Sequence, residues 1–187
     1  MNPYAGSMMD VGRLTEEQQK NLSHLKPEQI ARLHQDPTLF KPAKVKASRD
    51  IPIGYELEPT VKWLTLDKMR LYLFGNGWPK TSTSNPNRHT DYAGAWHTGM
   101  PRPIVMANQI GEYWAEMMIK FFGTGYIGGT LEWTAIHVPF ADDVYTNHLV
   151  VSEKVVEGDK MRIKLDAWSE NQNGEKVLVG TVTGLVD

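Results

Sequence analysis

The stretch PIVMANQIGEYWAEMMIKFF, Pro103 to Phe122, decides the fold of this chain. Its large apolar side chains recur at helical spacing over a wide face, and few polar residues interrupt them. Proline is favoured in the first helical turn, and the glycines of the following GTGYIGG suit a helix end. The pattern predicts a helix from Ile104 to Phe122, begun by Pro103 and buried on most sides. Its apolar face consists of Ile110, Trp114, Met117, Met118, Phe121 and Phe122.

Runs rich in apolar and β-branched residues follow this helix, as expected of strands. They read GTLEWTAIHVPF, HLVVSEKVVEG, KMRIKLDAWSE and EKVLVGTVTGLV, and Gln172-Asn173-Gly174 is a hairpin signal between the last two. Upstream, alternating residues from Tyr55 to Trp63 predict another strand, and Leu66 to Phe74 predict a helix that stops at Gly75. The order of elements predicts an α+β class, with a long helix against an antiparallel sheet.

The N-terminal part, residues 1–46, differs from the rest. It is polar, and Leu22, Leu25, Ile30 and Leu33 are spaced for one or two short amphipathic helices. Its apolar content is too small for a core of its own. We expect a helical arm that packs on the main domain, residues 47–187, or on a partner subunit.

Composition excludes several classes of protein. The 187 residues are 41% hydrophobic and 22% charged, with a formal net charge of -2 and no cysteine. The hydrophobic content permits a proper core, the charge argues against nucleic-acid binding, and disulfides and thiolate chemistry are excluded. No segment has the length and hydropathy of a membrane span, and the N-terminus lacks the layout of a signal peptide. The sequence therefore predicts a soluble, cytoplasmic protein.

The loop before the long helix carries the residues suited to proton transfer. His89, Asp91 and His97 lie within NPNRHTDYAGAWH, and a histidine with a pKa of about 6.5 can act as acid or base near neutral pH. Asp91 is also a strong candidate for the N-cap of a short helix in YAGAW. His97 is expected on a pocket wall or the surface. The three residues lack the spacing of a metal site, so no metal is predicted.

This loop and the segment after it resemble the signature of the MaoC-like hydratases and dehydratases. In that family an Asn-Pro pair leads into His-x-Asp, followed by Ala, Gly and a Pro-Ile pair at the start of a buried helix. NPNRHTDYAGAWHTGMPRPIV matches this order, and YIGGTLEWTAIHVPFADD resembles the next strand of the family. The resemblance covers roughly residues 48 to 187. It implies a hotdog fold, in which a curved antiparallel sheet wraps a long central helix.

The resemblance also implies a reaction. MaoC-like enzymes add or remove water at the double bond of an acyl thioester on coenzyme A or acyl carrier protein, without a metal or organic cofactor. It implies that His89 is the general acid/base and Asp91 its carboxylate partner. Backbone N–H groups at the helix start, near Met106 and Ala107, would polarise the thioester carbonyl.

The substrate is expected to contact further residues of the same loop. Ser84 and Asn85 are candidates for hydrogen bonds to the thioester or to a water molecule. Trp78 and Trp96 flank the motif and suit the walls of an acyl pocket. These residues have ordinary structural explanations as well, because Asn-Pro is a common turn and tryptophan a common packing residue.

The sequence departs from the family at two places. Many members carry an acidic residue five positions before the histidine, where this chain has Ser84, or Thr83 in an alternative alignment. The His-Gly pair that follows Pro-Ile in the family is replaced by Met106 and Ala107. Either Asp91 supplies the carboxylate, or the chain is a non-catalytic subunit whose partner holds the complete pair.

Two function classes therefore stand beside a self-sufficient hydratase. One is the non-catalytic hotdog subunit of a heteromeric hydratase, and the other, which fits the motif less well, is an acyl-CoA thioesterase. Hotdog sheets commonly join edge to edge, so the resemblance implies a homodimer or a hetero-oligomer of hotdog subunits. No nucleic-acid or membrane partner is expected.

Overall fold

The computed structural model describes residues 43–75 and 87–187. The elements, in chain order, are β1 (Thr60–Trp63), α1 (Leu66–Gly75), α2 (Tyr92–His97), α3 (Ala107–Phe122), β2 (Leu131–Ala135), β3 (Val144–Glu157), β4 (Lys160–Glu170) and β5 (Lys176–Val186). A 3₁₀ turn, Gly123–Tyr126, follows α3. The predicted N-terminal arm lies outside the described residues except for its last four, so the division at residue 46 stays a prediction.

All strand pairs are antiparallel, and the sheet order is β1-β3-β4-β5-β2. The register shifts between Val151 and Glu153 of β3 and again between Ser169 and Glu170 of β4. Such irregularities bend strands, as a sheet that wraps a helix requires. The α+β class and the hotdog architecture, a long helix against a five-stranded antiparallel sheet, are confirmed.

Helix α3 fills the inner side of the sheet. Ile110, Trp114 and Phe121 have almost no exposed surface. Phe122 packs so closely on β5 that a Cβ at Gly184 would lie 2.6 Å from its ring, which explains a glycine in the middle of a strand. Burying a large apolar side chain stabilises a fold by roughly 1.5–3 kcal/mol, so this face dominates the packing energy.

A series of buried hydrogen bonds fixes helix α3 on the sheet. The Trp114 indole N–H donates to Ser169 Oγ at 2.9 Å, and Ser169 donates to Asn147 Oδ1 at 2.6 Å. The Asn147 amide then donates to the Thr60 carbonyl at 3.2 Å. The chain joins α3, β4, β3 and β1, and each buried donor in it has an acceptor.

Helix α3 starts later than the sequence predicts. It begins at Ala107, with Met106 at the N-cap, so the expected start at Ile104 and the place of Pro103 in the first turn were wrong. The physical reason is tertiary, since the Pro103–Val105 segment runs extended between two other segments. Ile104 N–H donates to the Arg88 carbonyl, and Val105 N–H donates to the Pro139 carbonyl, both at 2.8 Å. These bonds compete with helical ones.

The long apolar helix does not raise the question of a membrane span. In the described ranges, 43–75 and 87–187, no helix combines enough length with enough hydropathy to cross a bilayer.

Candidate active site

The loop that carries His89 is built on Asn87. The Asn87 side chain accepts a hydrogen bond from His89 N–H at 2.8 Å, and its carbonyl accepts from Thr90 N–H and Asp91 N–H at 3.0 and 3.2 Å. This is the turn that asparagine forms with its own following backbone. Asn87 was missed in the sequence, although Asn-Pro-Asn is a turn signal that could have indicated it.

One ring nitrogen of His89, Nδ1, donates a hydrogen bond, and the other, Nε2, accepts one. Because the Ile104 carbonyl can only accept, Nδ1 carries the proton and donates to it at 2.8 Å. Nε2 is therefore the lone-pair nitrogen of the neutral ring, and Arg88 Nε lies 3.3 Å from it. Ile104 is three residues before the start of α3, so the ring is fixed beside that helix start.

The surroundings of His89 favour its neutral form. Burial lowers the pKa of His89, the hydrogen bond to the Ile104 carbonyl partly opposes this, and the positive charge of Arg88 lowers the pKa further. At neutral pH the ring therefore presents an unprotonated Nε2, which is the state that a general base needs.

Asp91 caps helix α2. Its Oδ1 accepts from Gly94 N–H at 2.8 Å, which confirms the sequence-based interpretation of Asp91 as an N-cap. Within the described ranges, the hydrogen bonds of the His89 ring go to Ile104 and Arg88, and Asp91 is not among its partners. A carboxylate role for Asp91 stays a prediction.

Helix α2 presses directly on the loop. A Cβ placed at Gly94 would lie 2.3 Å from the carbonyl carbon of Asn87, far inside contact distance. Gly94 is therefore required because α2 and the His89 loop touch backbone to backbone. The position of His89 depends on this contact as well as on the bond to Ile104.

Two further residues anchor the loop, and no local signal in the sequence could have found them. Arg70 of α1 donates from Nε to the Thr90 carbonyl at 2.7 Å. Asp142 lies in the left-handed region, with φ 65°, and accepts from the Tyr92 hydroxyl at 3.4 Å. Both partners are more than 19 residues away in the sequence. The loop is thus tied to α1 and to the segment before β3.

The other predicted site residues divide into three groups. Met106 and Ala107 lie at the start of α3, within three residues of the carbonyl that holds His89, so they and His89 come together. Ser84, Asn85 and Trp78 lie outside the described residues, and their predicted roles stay predictions. His97 and Trp96 are exposed on α2.

A polar cleft of about 380 Å³ lies on the other side of the Pro103–Val105 segment, and His89 does not line it. Its walls include the Arg102–Asp143 ion pair, with atoms 2.9 Å apart, and Gln172, which donates to the same carboxylate at 3.0 Å. These side chains already satisfy one another, so the cleft carries no evident chemistry. In the described part of the chain, no three His, Asp or Glu side chains form a metal-binding group.

Comparisons with known proteins were made by sequence and by structure. No protein-family model and no curated protein matches this sequence. Among the solved structures that share its fold are one hydratase and two dehydratases. The (R)-hydratase of A. caviae involved in PHA biosynthesis is 19% identical, with a TM-score of 0.59, and the match covers 74% of this chain and 100% of that one. A MaoC-like dehydratase of Rhodospirillum rubrum is 13% identical, with a TM-score of 0.58 and coverage of 73% and 93%.

The third structure is the HadBC complex, a 3R-hydroxyacyl-ACP dehydratase of Mycobacterium tuberculosis. It is 10% identical, with a TM-score of 0.57 and coverage of 74% and 100%. This chain has the MaoC-like hotdog fold. The low identities fit a divergent form of that fold, in agreement with the departures at Ser84 and Met106. In these three structures the match extends over nearly the whole length of the compared chain.

Proposed function

We propose that this protein is a hydro-lyase that adds or removes water at the double bond of an acyl thioester, with His89 as its general acid/base. The observation that carries the proposal is the His89–Ile104 hydrogen bond of 2.8 Å. It fixes the tautomer in which Nε2 carries the lone pair, and it holds the ring beside the start of α3. The fold shared with a hydratase and two dehydratases supports the same reaction class.

The chemistry follows from these positions. In hydration, His89 Nε2 takes a proton from water while the water oxygen bonds to the β-carbon of the enoyl thioester. The electron pair of the double bond moves toward the thioester oxygen, which becomes negative. The N-terminus of α3, equivalent to roughly half a positive charge, would stabilise that oxygen through the N–H groups near Met106 and Ala107. The proton on His89 then passes to the α-carbon, and the product is a 3-hydroxyacyl thioester.

Asp91 has a defined place in this proposal. It is proposed as the carboxylate partner of His89, while its Oδ1 caps α2. Ser84, Asn85 and Trp78 are proposed to contact the substrate. Neither assignment requires a metal or an organic cofactor, and the proposed substrate carrier is coenzyme A or acyl carrier protein.

A non-catalytic subunit is the second candidate, and a specific observation favours it. The His89 ring is oriented by a main-chain carbonyl, and the nearby carboxylate of Asp91 is engaged by Gly94. A partner hotdog would then hold the complete catalytic pair. The HadBC complex shows that hotdog chains of this fold assemble with one another.

Assembly through the edge strand β2 is part of the proposal. Among the strands of residues 43–75 and 87–187 it pairs with β5 alone, and Trp133, Ile136 and Val138 on it and just beyond it are exposed. An exposed apolar edge is a template for pairing with another chain. We propose a homodimer or a hetero-oligomer of hotdog subunits formed at this edge.

The test is turnover by the purified full chain. It is incubated with crotonyl-CoA and with longer, branched and aromatic enoyl-CoAs, and loss of the conjugated enoyl-thioester absorbance is followed. His89→Ala should lower the rate by about 10²–10⁴-fold, while His97→Ala, an exposed histidine of the same region, should not. Equal effects of both variants would contradict the role of His89. No turnover with any acyl group would favour the non-catalytic subunit.

A further inference from the structure

Arg88 differs from the other arginines of residues 43–75 and 87–187 in what its side chain binds. The other four donate to main-chain carbonyl or carboxylate oxygens: Arg49, Arg70, Arg102 and Arg162. Arg88 is exposed, and within the same ranges its guanidinium donates only to His89 Nε2, at 3.3 Å. Its positive charge therefore has no oxygen acceptor among the described residues.

The Arg88 side chain covers the nitrogen that the proposed reaction needs. Nε2 of the neutral ring accepts the Arg88 N–H with its single lone pair, which is also the pair that would take a proton from water. The Arg88 main chain is anchored, because its carbonyl accepts from Ile104 N–H at 2.8 Å. The guanidinium must therefore leave Nε2 before the reaction, while its main chain stays beside the ring.

A carboxylate is the acceptor best suited to draw this guanidinium away. The planar fork of arginine matches a carboxylate, and hydrogen bonds between charged groups are about twice as strong as neutral ones. The first turn of α3 carries only neutral side chains, and Asp91 Oδ1 is engaged by Gly94 N–H. An anion at Arg88 would also offset the positive charge that lowers the pKa of His89, and so favour the imidazolium that forms when Nε2 takes a proton.

The position of Arg88 indicates where in the substrate this carboxylate lies. The guanidinium is one planar group, so all its nitrogens are close to Nε2 when Nε is 3.3 Å from it. In the proposed reaction, Nε2 acts at the carbons of the double bond. The phosphates of coenzyme A and of acyl carrier protein are separated from the thioester by the whole pantetheine arm. A carboxylate on the acyl group itself is therefore the anion within reach of Arg88.

We propose that Arg88 determines the substrate class by binding a carboxylate of the acyl group. The preferred substrate is then a short enoyl thioester that carries a carboxylate close to its double bond. Its carboxylate draws Arg88 away from His89 Nε2, and so frees the base only when this substrate is bound. The inference rests on the proposed hydro-lyase function and names the acyl group that the sequence motif leaves open.

Binding of two saturated thioesters tests the role of Arg88 without turnover. Glutaryl-CoA and butyryl-CoA differ only by the terminal carboxylate, and neither has a double bond to hydrate. In isothermal titration calorimetry the full chain should bind glutaryl-CoA about 10–100-fold more tightly, as expected of hydrogen bonds to a charged group. Arg88→Gln should remove this preference, and Arg88→Lys, which keeps the charge without the fork, should retain only part of it.

Arg49→Gln is the matched control, because Arg49 is also exposed and lies at the other end of α3. Two residues before it, Ala47 N–H donates to the Phe121 carbonyl in the last turn of that helix. This variant should keep the preference for glutaryl-CoA. Both variants should fold, since each replaces an exposed side chain and leaves the main-chain hydrogen bonds in place.

Several results would overturn the proposal. They are no binding of glutaryl-CoA, equal affinity of the wild type for both ligands, and an undiminished preference in Arg88→Gln. Equal affinity in the wild type, with weaker binding of both ligands to Arg88→Gln, would assign Arg88 to the phosphates of coenzyme A instead.

Turnover of the matching enoyl thioesters, glutaconyl-CoA and crotonyl-CoA, separates this inference from the proposed function. Hydration of crotonyl-CoA with a kcat/KM at least equal to that of glutaconyl-CoA would overturn the role of Arg88 and leave the hydration standing. Preferential binding of glutaryl-CoA without hydration of either enoyl-CoA would contradict the proposed reaction and leave the carboxylate site of Arg88 standing.

Discussion

Replacing Gly94 by alanine should displace the loop that carries His89 while leaving the fold intact. The new Cβ would lie 2.3 Å from the Asn87 carbonyl carbon and 2.5 Å from its nitrogen and oxygen. All three are backbone atoms, so no side-chain rotation can relieve the clash. Ordinary contact begins at 3.4 Å, so α2 and the loop must separate by about 1.1 Å.

The magnitude of the effect follows from that separation. Overpacking of a buried site costs about 1–3 kcal/mol, and alanine returns about 1 kcal/mol through its higher helix propensity. The expected net loss of stability is therefore about 0–2 kcal/mol. Catalysis is more sensitive to position, and a misplacement of about 1 Å can lower activity by 10²-fold. We expect a large loss of kcat/KM with a small loss of stability.

The assay pairs hydration of crotonyl-CoA with urea denaturation. Gly111→Ala is the control, since the atoms nearest to its Cβ belong to the Trp133 side chain, at 3.0 Å, and that indole is partly exposed and can move. It should retain activity. A titration of His89 by NMR gives a readout independent of turnover, because lifting the loop should bring the lowered pKa of His89 back toward its ordinary value of about 6.5. Wild-type activity and an unchanged His89 pKa in Gly94→Ala would refute the reasoning.

Three further predictions concern the pH dependence of activity, the N-cap of α2 and the buried hydrogen bonds of Ser169. Because the pKa of His89 is lowered, kcat/KM for hydration should be constant above about pH 6.5 and fall only at lower pH, as Nε2 becomes protonated. A fall in kcat/KM centred above about pH 7 would contradict this. Asp91→Asn preserves a good N-cap but removes the carboxylate. A drop in kcat of tenfold or more with unchanged stability would support Asp91 as the carboxylate partner of His89, and full activity would assign it to capping alone. Ser169→Ala leaves the buried Trp114 N–H and the Asn147 oxygen without this partner, so it should lower the free energy of unfolding, measured in urea, by about 1–3 kcal/mol. A loss below about 0.5 kcal/mol would show that these hydrogen bonds do not stabilise the core.

His89, the proposed general base, lies in a loop that is held at several points. His89 is tied to Ile104, and its loop is tied to α1 through Arg70 and to the segment before β3 through Asp142. Preorganisation of this kind is what a general base requires, since the group must meet its proton in a fixed geometry. The proposed substrate contacts of Trp78, Ser84 and Asn85 stay predictions.

The sequence by itself determined the elements whose signals are local. The apolar spacing from Ile110 to Phe122 indicated a long buried helix, Asp91 before YAGAW indicated a capped short helix, and the hairpin at Gln172-Asn173-Gly174 indicated how β4 joins β5. These features depend on periodicity, capping and turn chemistry within a few residues, and the structure confirms them. The motif around His89 also led correctly to the MaoC-like hotdog fold.

Only the tertiary structure decided how those elements meet. The late start of α3 and the tautomer of His89 both depend on Ile104, which pairs with Arg88 and with the ring fifteen residues before it. The contact that requires Gly94 and the buried chain from Trp114 to Asn147 likewise join atoms by close approach in space. Local patterns set the preferences of a segment, whereas the partners of its polar groups are set by which distant segments the packed core brings alongside it.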